Sequence, residues 1–198
     1  MRKGLAAIAA LTLVSTLGAC TSNDESPVGG PPTLPPATDS SSAPAEDTLT
    51  LGYGSLGPAT VGMSKADAAE TGLFVVDSPP PVEGCEPFHL VFKKDLQDKG
   101  LDVIAQADGI HSLGILKPGF KTDEGVAIGS TLAEVKAAYP GLTETEEAGY
   151  GQSGAFTTDG KHYIGFLFNE APDDITDAAK VTFIETTKEK PGLMRDGC

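Results

Sequence analysis

The sequence predicts an α+β fold, in which two helix-plus-antiparallel-sheet halves pack as one domain behind a signal peptide and a disordered tether. Three features predict it: a stretch rich in Pro and Ser that ends near residue 47, two similar helix starts 67 residues apart, and alternating apolar runs after each start. The expected boundaries are 1–19 for the signal peptide, 20–47 for the linker, 48–118 for the first half and 119–198 for the second. About 150 residues are enough to bury a sizeable core.

The N-terminus has the features of an export signal. Arg2 and Lys3 precede an apolar stretch, residues 4–17, which is too short to span a bilayer core of ~30 Å. Leu17-Gly18-Ala19-Cys20 follows and resembles the lipobox of bacterial lipoproteins. The resemblance implies cleavage before Cys20 and lipid on its sulfur; the alternative is an ordinary secretory peptide with a chance cysteine. Because two or more acyl chains hold a protein stably at ~0.8 kcal/mol per buried CH₂, we expect a cell-membrane protein, lipid-anchored at the extracytoplasmic face.

The linker and the net charge restrict the partners. Residues 21–47 are dominated by Pro, Ser, Thr, Gly and Ala, a composition that predicts a disordered tether. Removing Arg2 and Lys3 leaves 12 basic residues against 28 acidic ones, a formal charge of −16. So acidic a chain argues against nucleic acid as a partner and against direct docking on anionic lipid. The expected partners are the membrane, through lipid on Cys20, and an envelope or secreted protein.

Two further cysteines, Cys85 and Cys198, remain after Cys20 is assigned to lipid. In an exported chain they predict one intramolecular disulfide, which would stabilise a loop of this length by about 4 to 5 kcal/mol. Two unpaired thiols, or pairing to another chain, are the alternatives.

Each half begins with a capped helix. Ser64 is followed three residues later by Asp67, and Thr131 by Glu134, so each hydroxyl is placed to accept a backbone N–H of the first helical turn. The helices are expected to stop at Gly72-Leu73 and Gly141-Leu142.

Strands are predicted after each helix, separated by turn residues such as Asp108-Gly109 and Asp159-Gly160. The first half contributes runs 88–92, 101–105 and 110–116, and the second half contributes 155–158, 162–168 and 181–186.

The two helix starts carry a resemblance to a known family. Val61-Gly62-Met63-Ser64-Lys65-Ala66-Asp67 and Ile128-Gly129-Ser130-Thr131-Leu132-Ala133-Glu134-Val135 resemble the tandem repeats of the β-lactamase-inhibitor-protein-like fold and of SmpA/OmlA (BamE-like) lipoproteins. In that family the Gly allows a tight turn and the Met and Val lie in the core; here Ser130 replaces the Met and Ala68 replaces the Val. The resemblance implies a protein-binding scaffold without catalytic residues, and it does not imply inhibition of a β-lactamase.

Other motifs give no site. A match to the dinucleotide fingerprint occurs at Gly52-Tyr53-Gly54-Ser55-Leu56-Gly57, with Asp77 20 residues after Gly57. Pro58 delays the helix that should open within such a fingerprint, so we predict a glycine-rich turn and no nucleotide. His89, His111 and His162 have no second His or Cys at metal-ligand spacing. The acidic loop lacks the ligand order of an EF-hand; its members are Asn169, Glu170, Asp173, Asp174 and Asp177. We therefore expect no metal and no cofactor.

Strand alternation predicts a binding face. If Phe88, Leu90 and Phe92, with Ile164, Phe166 and Phe168, pack under the helices, the residues of opposite parity face outward: His89, Val91, Tyr163 and Leu167. The alternative is that both faces are core.

The expected function is a non-catalytic protein-binding or envelope-assembly module and not an enzyme. The competing hypothesis is a small extracytoplasmic hydrolase or a metal- or small-ligand-binding protein.

Overall fold

The computed structural model describes residues 49–76 and 90–193, all of which fall in one compact unit, Ser40–Cys198. Its helices and strands confirm the predicted α+β class. In chain order the elements are β1 (Thr50–Gly52), β2 (Ser55–Leu56), β3 (Ala59–Thr60), α1 (Lys65–Glu70), β4 (Phe74–Val76), β5 (Leu90–Phe92), α2 (Lys94–Asp98), β6 (Leu101–Gln106), β7 (Gly109–Ile115), β8 (Lys121–Thr122), α3 (Leu132–Ala138), β9 (Glu146–Gly149), β10 (Gln152–Thr158), β11 (Tyr163–Phe168) and β12 (Val181–Thr187).

Both predicted helix starts are confirmed. The Ser64 hydroxyl accepts the Asp67 N–H at the start of α1, at 3.2 Å. At α3 the capping box is complete, because Thr131 Oγ1 accepts the Glu134 N–H while the Glu134 carboxylate accepts the Thr131 N–H. The backbone hydrogen bond from Thr131 holds the pKa of Glu134 below its usual value. Helix α2 was not predicted, since it has no side-chain cap and buries only Leu96.

A six-stranded antiparallel sheet joins the two halves. Its order is β6-β7-β12-β11-β10-β9, and strand β7 of the first half pairs with β12 of the second at Ile115↔Ile184 and Leu113↔Thr186. Its six members include the predicted runs 101–105, 110–116, 155–158, 162–168 and 181–186, each shifted by three residues or fewer at its ends. The halves therefore share one sheet.

Two smaller sheets flank it. Four short strands form the order β3-β2-β1-β8, with β1 and β8 parallel, and β4 pairs with β5. Strand β1 falls in the short run 48–51 that precedes the glycines and was expected to be extended, whereas β2 and β8 were not predicted. Strands β1, β2 and β3 pair as neighbours along the chain, whereas the β1–β8 pairing joins residues more than 70 positions apart, such as Thr50 and Lys121.

The main core lies between the helices and one face of the six-stranded sheet. Ile164, Phe166 and Phe168 point into it, at 1 % exposure or less, as the alternation predicts. Tyr139, from the end of α3, packs its ring 5.3 Å from that of Phe166. Burial raises the pKa of Tyr139 to about 12, and the neighbouring Thr122 hydroxyl opposes that rise only in part.

Several predictions lie outside the described residues: the signal peptide, the tether, lipidation of Cys20, the Cys85–Cys198 disulfide and the placement of His89. Within the described ranges, no helix has the length and apolar character needed to cross a membrane.

Candidate binding groove

The second face of the six-stranded sheet, here called the outer face, is partly covered by the terminal strap, residues 188–193. Leu193 is 2 % exposed and packs with Phe156, Leu167 and Phe183 in a second apolar cluster. Two glycines make room for the strap: a Cβ at Gly165 would lie 2.7 Å from Pro191 Cγ, and a Cβ at Gly154 would lie 2.7 Å from Leu193 Cδ1. The outer face is therefore shaped to accept this segment of the chain.

The expectation that Leu167 faces solvent is wrong. Its side chain does lie on the face opposite to Phe166, but it is only 8 % exposed because Leu193 of the strap packs against it. Alternation along the strand predicted the correct face, whereas the cover comes from a segment that is remote along the chain.

The other predicted partner-binding residues are not gathered into one surface. Val91 is half-buried in the two-stranded sheet, opposite Val75. Tyr163 is half-buried on the outer face of the six-stranded sheet, opposite Thr187. The structure thus separates Val91 from Tyr163 and Leu167, and His89 is not described.

Glu185, near the middle of β12, fastens the strap to the sheet. It is 3 % exposed, and its two carboxylate oxygens accept hydrogen bonds from Ser112 Oγ at 2.7 Å and from the Leu193 N–H at 2.9 Å. A buried carboxylate is costly unless such donors surround it. These two hydrogen bonds to Glu185 therefore link the end of the strap and the neighbouring strand β7 to β12.

Beside the strap the outer face opens into a groove of about 680 Å³, here called the outer groove. One wall is the strap and the opposite wall is the β6–β7 hairpin. The floor and rim combine apolar and polar side chains, including Ile104, Gln106, His111, Ser112, Glu185 and Thr187.

A β-bulge shapes the hairpin side of this groove. The register moves from Ile104↔Ser112 to Ala105↔Ile110, so His111 is the extra residue on β7. Because of the bulge, Ile110 enters the core while Ser112 turns to the outer face. Ring nitrogen Nε2 of His111 bonds to the Asp108 carboxylate at 2.7 Å, and this bond lowers the pKa of Asp108.

The glycine-rich run forms the predicted turn, not a phosphate loop. Tyr53-Gly54 is the two-residue connection between β1 and β2, and the next helix starts only at Lys65. The turn docks on the six-stranded sheet, since the Gly54 N–H donates to Thr186 Oγ1 and the Tyr53 hydroxyl bonds to Thr157 Oγ1.

Among the described residues no group of three or more His, Cys, Asp or Glu side chains is arranged to hold a metal ion. In the acidic loop, Asp177 is paired with Lys136 of α3 at 2.8 Å.

Sequence reasoning missed the strap, Ser112 and Glu185. One signal was available: Glu185 is an ionisable residue within the otherwise uncharged strand Val181–Thr187, and a charge at such a position requires a buried partner. Nothing local identifies that partner as the backbone of Leu193.

Comparisons with protein-family models, with curated proteins and with solved structures gave no match to this chain.

Proposed function

We propose that this protein is a lipid-anchored extracytoplasmic lipoprotein whose folded domain binds an envelope or secreted protein in the outer groove, without catalysis. The observation that carries the proposal is the groove itself, which lies on a hydrogen-bonded sheet and is held in shape by the Glu185 contacts to Ser112 and Leu193. A site on a rigid sheet binds with little loss of conformational entropy.

The kind of ligand follows from the lining. Ile104 offers an apolar surface, while Gln106 and Thr187, which line the same groove, offer hydrogen-bonding groups. Such mixed chemistry suits an extended peptide segment, which presents side chains and backbone amides together. The strap supports this choice, because it is already a segment without regular secondary structure that is held on the same face by a buried Leu side chain and one backbone N–H.

The groove is tested by one substitution with a matched control. Ile104→Lys places a charge on the groove floor, and Leu116→Lys makes the same kind of change at a position just after β7 that does not line the groove and is 44 % exposed. In a pull-down from cross-linked envelopes, the wild type and Leu116→Lys should recover the same partner and Ile104→Lys should not. Equal recovery by all three would remove the groove from consideration.

The lipid anchor is supported by the basic start, the short apolar stretch and the small residues before Cys20. It is tested separately with Cys20→Ala. The wild type should incorporate labelled palmitate and sediment with membranes, and the variant should do neither. A wild type that takes up no palmitate, with a variant that stays on membranes, would contradict the anchor.

One observation favours the alternative of a small hydrolase: His111, Asp108 and Ser112 line the same groove. The geometry differs from that of a nucleophile and its base, because Ser112 Oγ donates to Glu185, while His111 Nε2 is bonded to Asp108. A fluorophosphonate probe distinguishes the two functions, since labelling that is lost in Ser112→Ala would establish an enzyme.

A further inference from the structure

The terminal strap lies on the outer face without being woven into the sheet. Residues 188–193, all of them described, form neither helix nor strand. Leu193 has φ 57°, in the left-handed region where a bulky side chain is strained. A surface segment held mainly by side chains, with one strained residue, opens at a lower free-energy cost than the strands beneath it.

The contacts that hold the strap differ in chemistry. The Leu193 side chain fills a space, here called the Leu193 pocket, whose lining is Phe156, Leu167 and Phe183. The Leu193 N–H donates to the Glu185 carboxylate at 2.9 Å. Three residues earlier, Lys190 pairs with Glu146 of β9, and its Nζ lies 4.6 Å from the centroid of the Phe156 ring.

These contacts describe the kind of segment that the site accepts. The pocket takes an apolar side chain, and Glu185 takes the backbone N–H of that same residue, which excludes proline. Glu146 and the Phe156 ring take a cation three positions earlier. Each contact would form equally well with a segment of another chain. Because this chain carries a formal charge of −14, it attracts a basic segment.

The Leu193 pocket adjoins the outer groove. Residues 188–192 of the strap line that groove, and the next residue, Leu193, fills the pocket. Gly165 keeps the floor low between them, since a Cβ there would lie 2.7 Å from Pro191 Cγ and 2.9 Å from Leu193 Cδ2. A partner held in the outer groove therefore lies beside the strap and its pocket.

We propose that the strap is a resident ligand, which a basic segment of the partner displaces. The partner segment places an apolar side chain in the Leu193 pocket, donates the backbone N–H of that residue to Glu185 and sets a Lys or Arg against Glu146. This displacement rests on the proposed function, because the same partner continues into the outer groove. A partner residue with an unstrained backbone has an advantage over Leu193. The closed strap lowers the apparent affinity by the fraction of time that the pocket is empty.

The probe for the test is a fluorescein-labelled, amidated peptide with the sequence of residues 188–193, Lys-Glu-Lys-Pro-Gly-Leu. Fluorescence anisotropy measures its binding to the full-length chain with Cys20→Ala, so that lipid plays no part. Adding Leu193→Ala, which empties the pocket, should lower the dissociation constant about tenfold or more. Adding Lys190→Glu instead, a charge reversal at a half-exposed side chain, should lower it about two- to fivefold.

Three controls accompany these measurements. A peptide with Ser in place of the final Leu should bind about tenfold or more weakly, because it buries no apolar side chain. Gly165→Ala combined with Leu193→Ala should abolish binding, since the added Cβ conflicts with the proline ring of the peptide. Lys161→Glu, at an exposed lysine between β10 and β11, is the matched control for Lys190→Glu and should change nothing. Thermal unfolding checks that Leu193→Ala is folded; if it is not, Lys190→Glu decides.

Several results would overturn the proposal. Two are peptide binding that neither Leu193→Ala nor Lys190→Glu strengthens, and equal binding of the peptide with Ser. Another is a wild-type dimer that the peptide dissociates, because the occupant would then be the strap of a second copy.

The envelope pull-down separates displacement from the proposed function. Leu193→Ala should raise recovery of the partner. A fall in recovery would show that the strap is a fixed wall of the outer groove, so that displacement fails while the groove remains the site. The proposed function fails by a different result, which is undiminished recovery by Ile104→Lys.

Discussion

Replacing Glu185 by Ala should loosen the terminal strap and lower the stability of the domain. The substitution removes the acceptor for two buried donors, the Ser112 hydroxyl and the Leu193 N–H. Each buried hydrogen bond lost in this way costs about 1–3 kcal/mol. Part of that cost is offset because a buried charge also disappears. The expected net loss is about 2–4 kcal/mol of unfolding free energy.

Two further variants separate the hydrogen bond from Ser112 and the seating of the strap. Ser112→Ala removes one of the two donors and should cost about 1 kcal/mol. Gly165→Ala leaves Glu185 untouched but places a Cβ 2.7 Å from Pro191 Cγ, so it should release the strap by steric conflict. If the Glu185 carboxylate and Gly165 both hold the strap in place, Glu185→Ala and Gly165→Ala should each expose it.

The assays are thermal unfolding, urea unfolding and limited proteolysis. At about 2–4 °C per kcal/mol for a domain of this size, Glu185→Ala should lower Tm by about 5–15 °C. Cleavage within residues 188–192 should accelerate under conditions where the sheet remains folded, since a surface segment opens before the core does. A Glu185→Ala variant within about 0.5 kcal/mol of the wild type, with unchanged cleavage, would refute the account of the strap.

Three further outcomes follow from single contacts. Tyr150 is 86 % exposed and has φ 53° in the β9–β10 turn, a conformation that Gly adopts without strain. Tyr150→Gly should therefore raise the stability of the protein by about 0.5–1 kcal/mol. A loss of stability in a urea titration would contradict this. Hydrogen bonding from Thr131 lowers the pKa of Glu134, so the contribution of this carboxylate to stability is present above its ordinary pKa of 4.5 and is lost as pH falls through the lowered value. Glu134→Gln should therefore flatten the acid limb of a plot of urea midpoint against pH. An unchanged acid limb would argue against the capping box. Burial raises the pKa of Tyr139 to about 12 from 10.0, so the contribution of the neutral phenol to stability is fully present below pH 10 and is lost as pH rises toward 12. Tyr139→Phe should reduce the alkaline loss of stability measured in thermal melts. An identical loss in both proteins would show that another group causes it.

The parts of the fold that sequence predicts are those fixed by neighbouring residues. Ser64 and Thr131 cap their helices through contacts only three residues long, and the alternation in Tyr163–Phe168 identifies the core side of β11. These signals depend on local backbone geometry, so one sequence is enough to find them.

The parts that sequence did not predict depend on distant residues. Leu167 is buried because Leu193 covers it, and the bulge at His111 is visible only once β6 and β7 are paired. The β1–β8 pairing likewise joins residues 71 positions apart. Consequently the predicted outward face was only partly correct, and the outer groove was not foreseen.

Site-specific photo-crosslinking in intact cells tests the central claim most directly. A photoreactive residue at Gln106, which is exposed at the groove wall, is compared with one at Lys161, which is exposed outside the groove lining. The account predicts one defined crosslinked protein from position 106, absent from position 161 and lost when Ile104→Lys is added. The same crosslinks at both positions, or a position-106 crosslink that survives Ile104→Lys, would contradict binding in the outer groove.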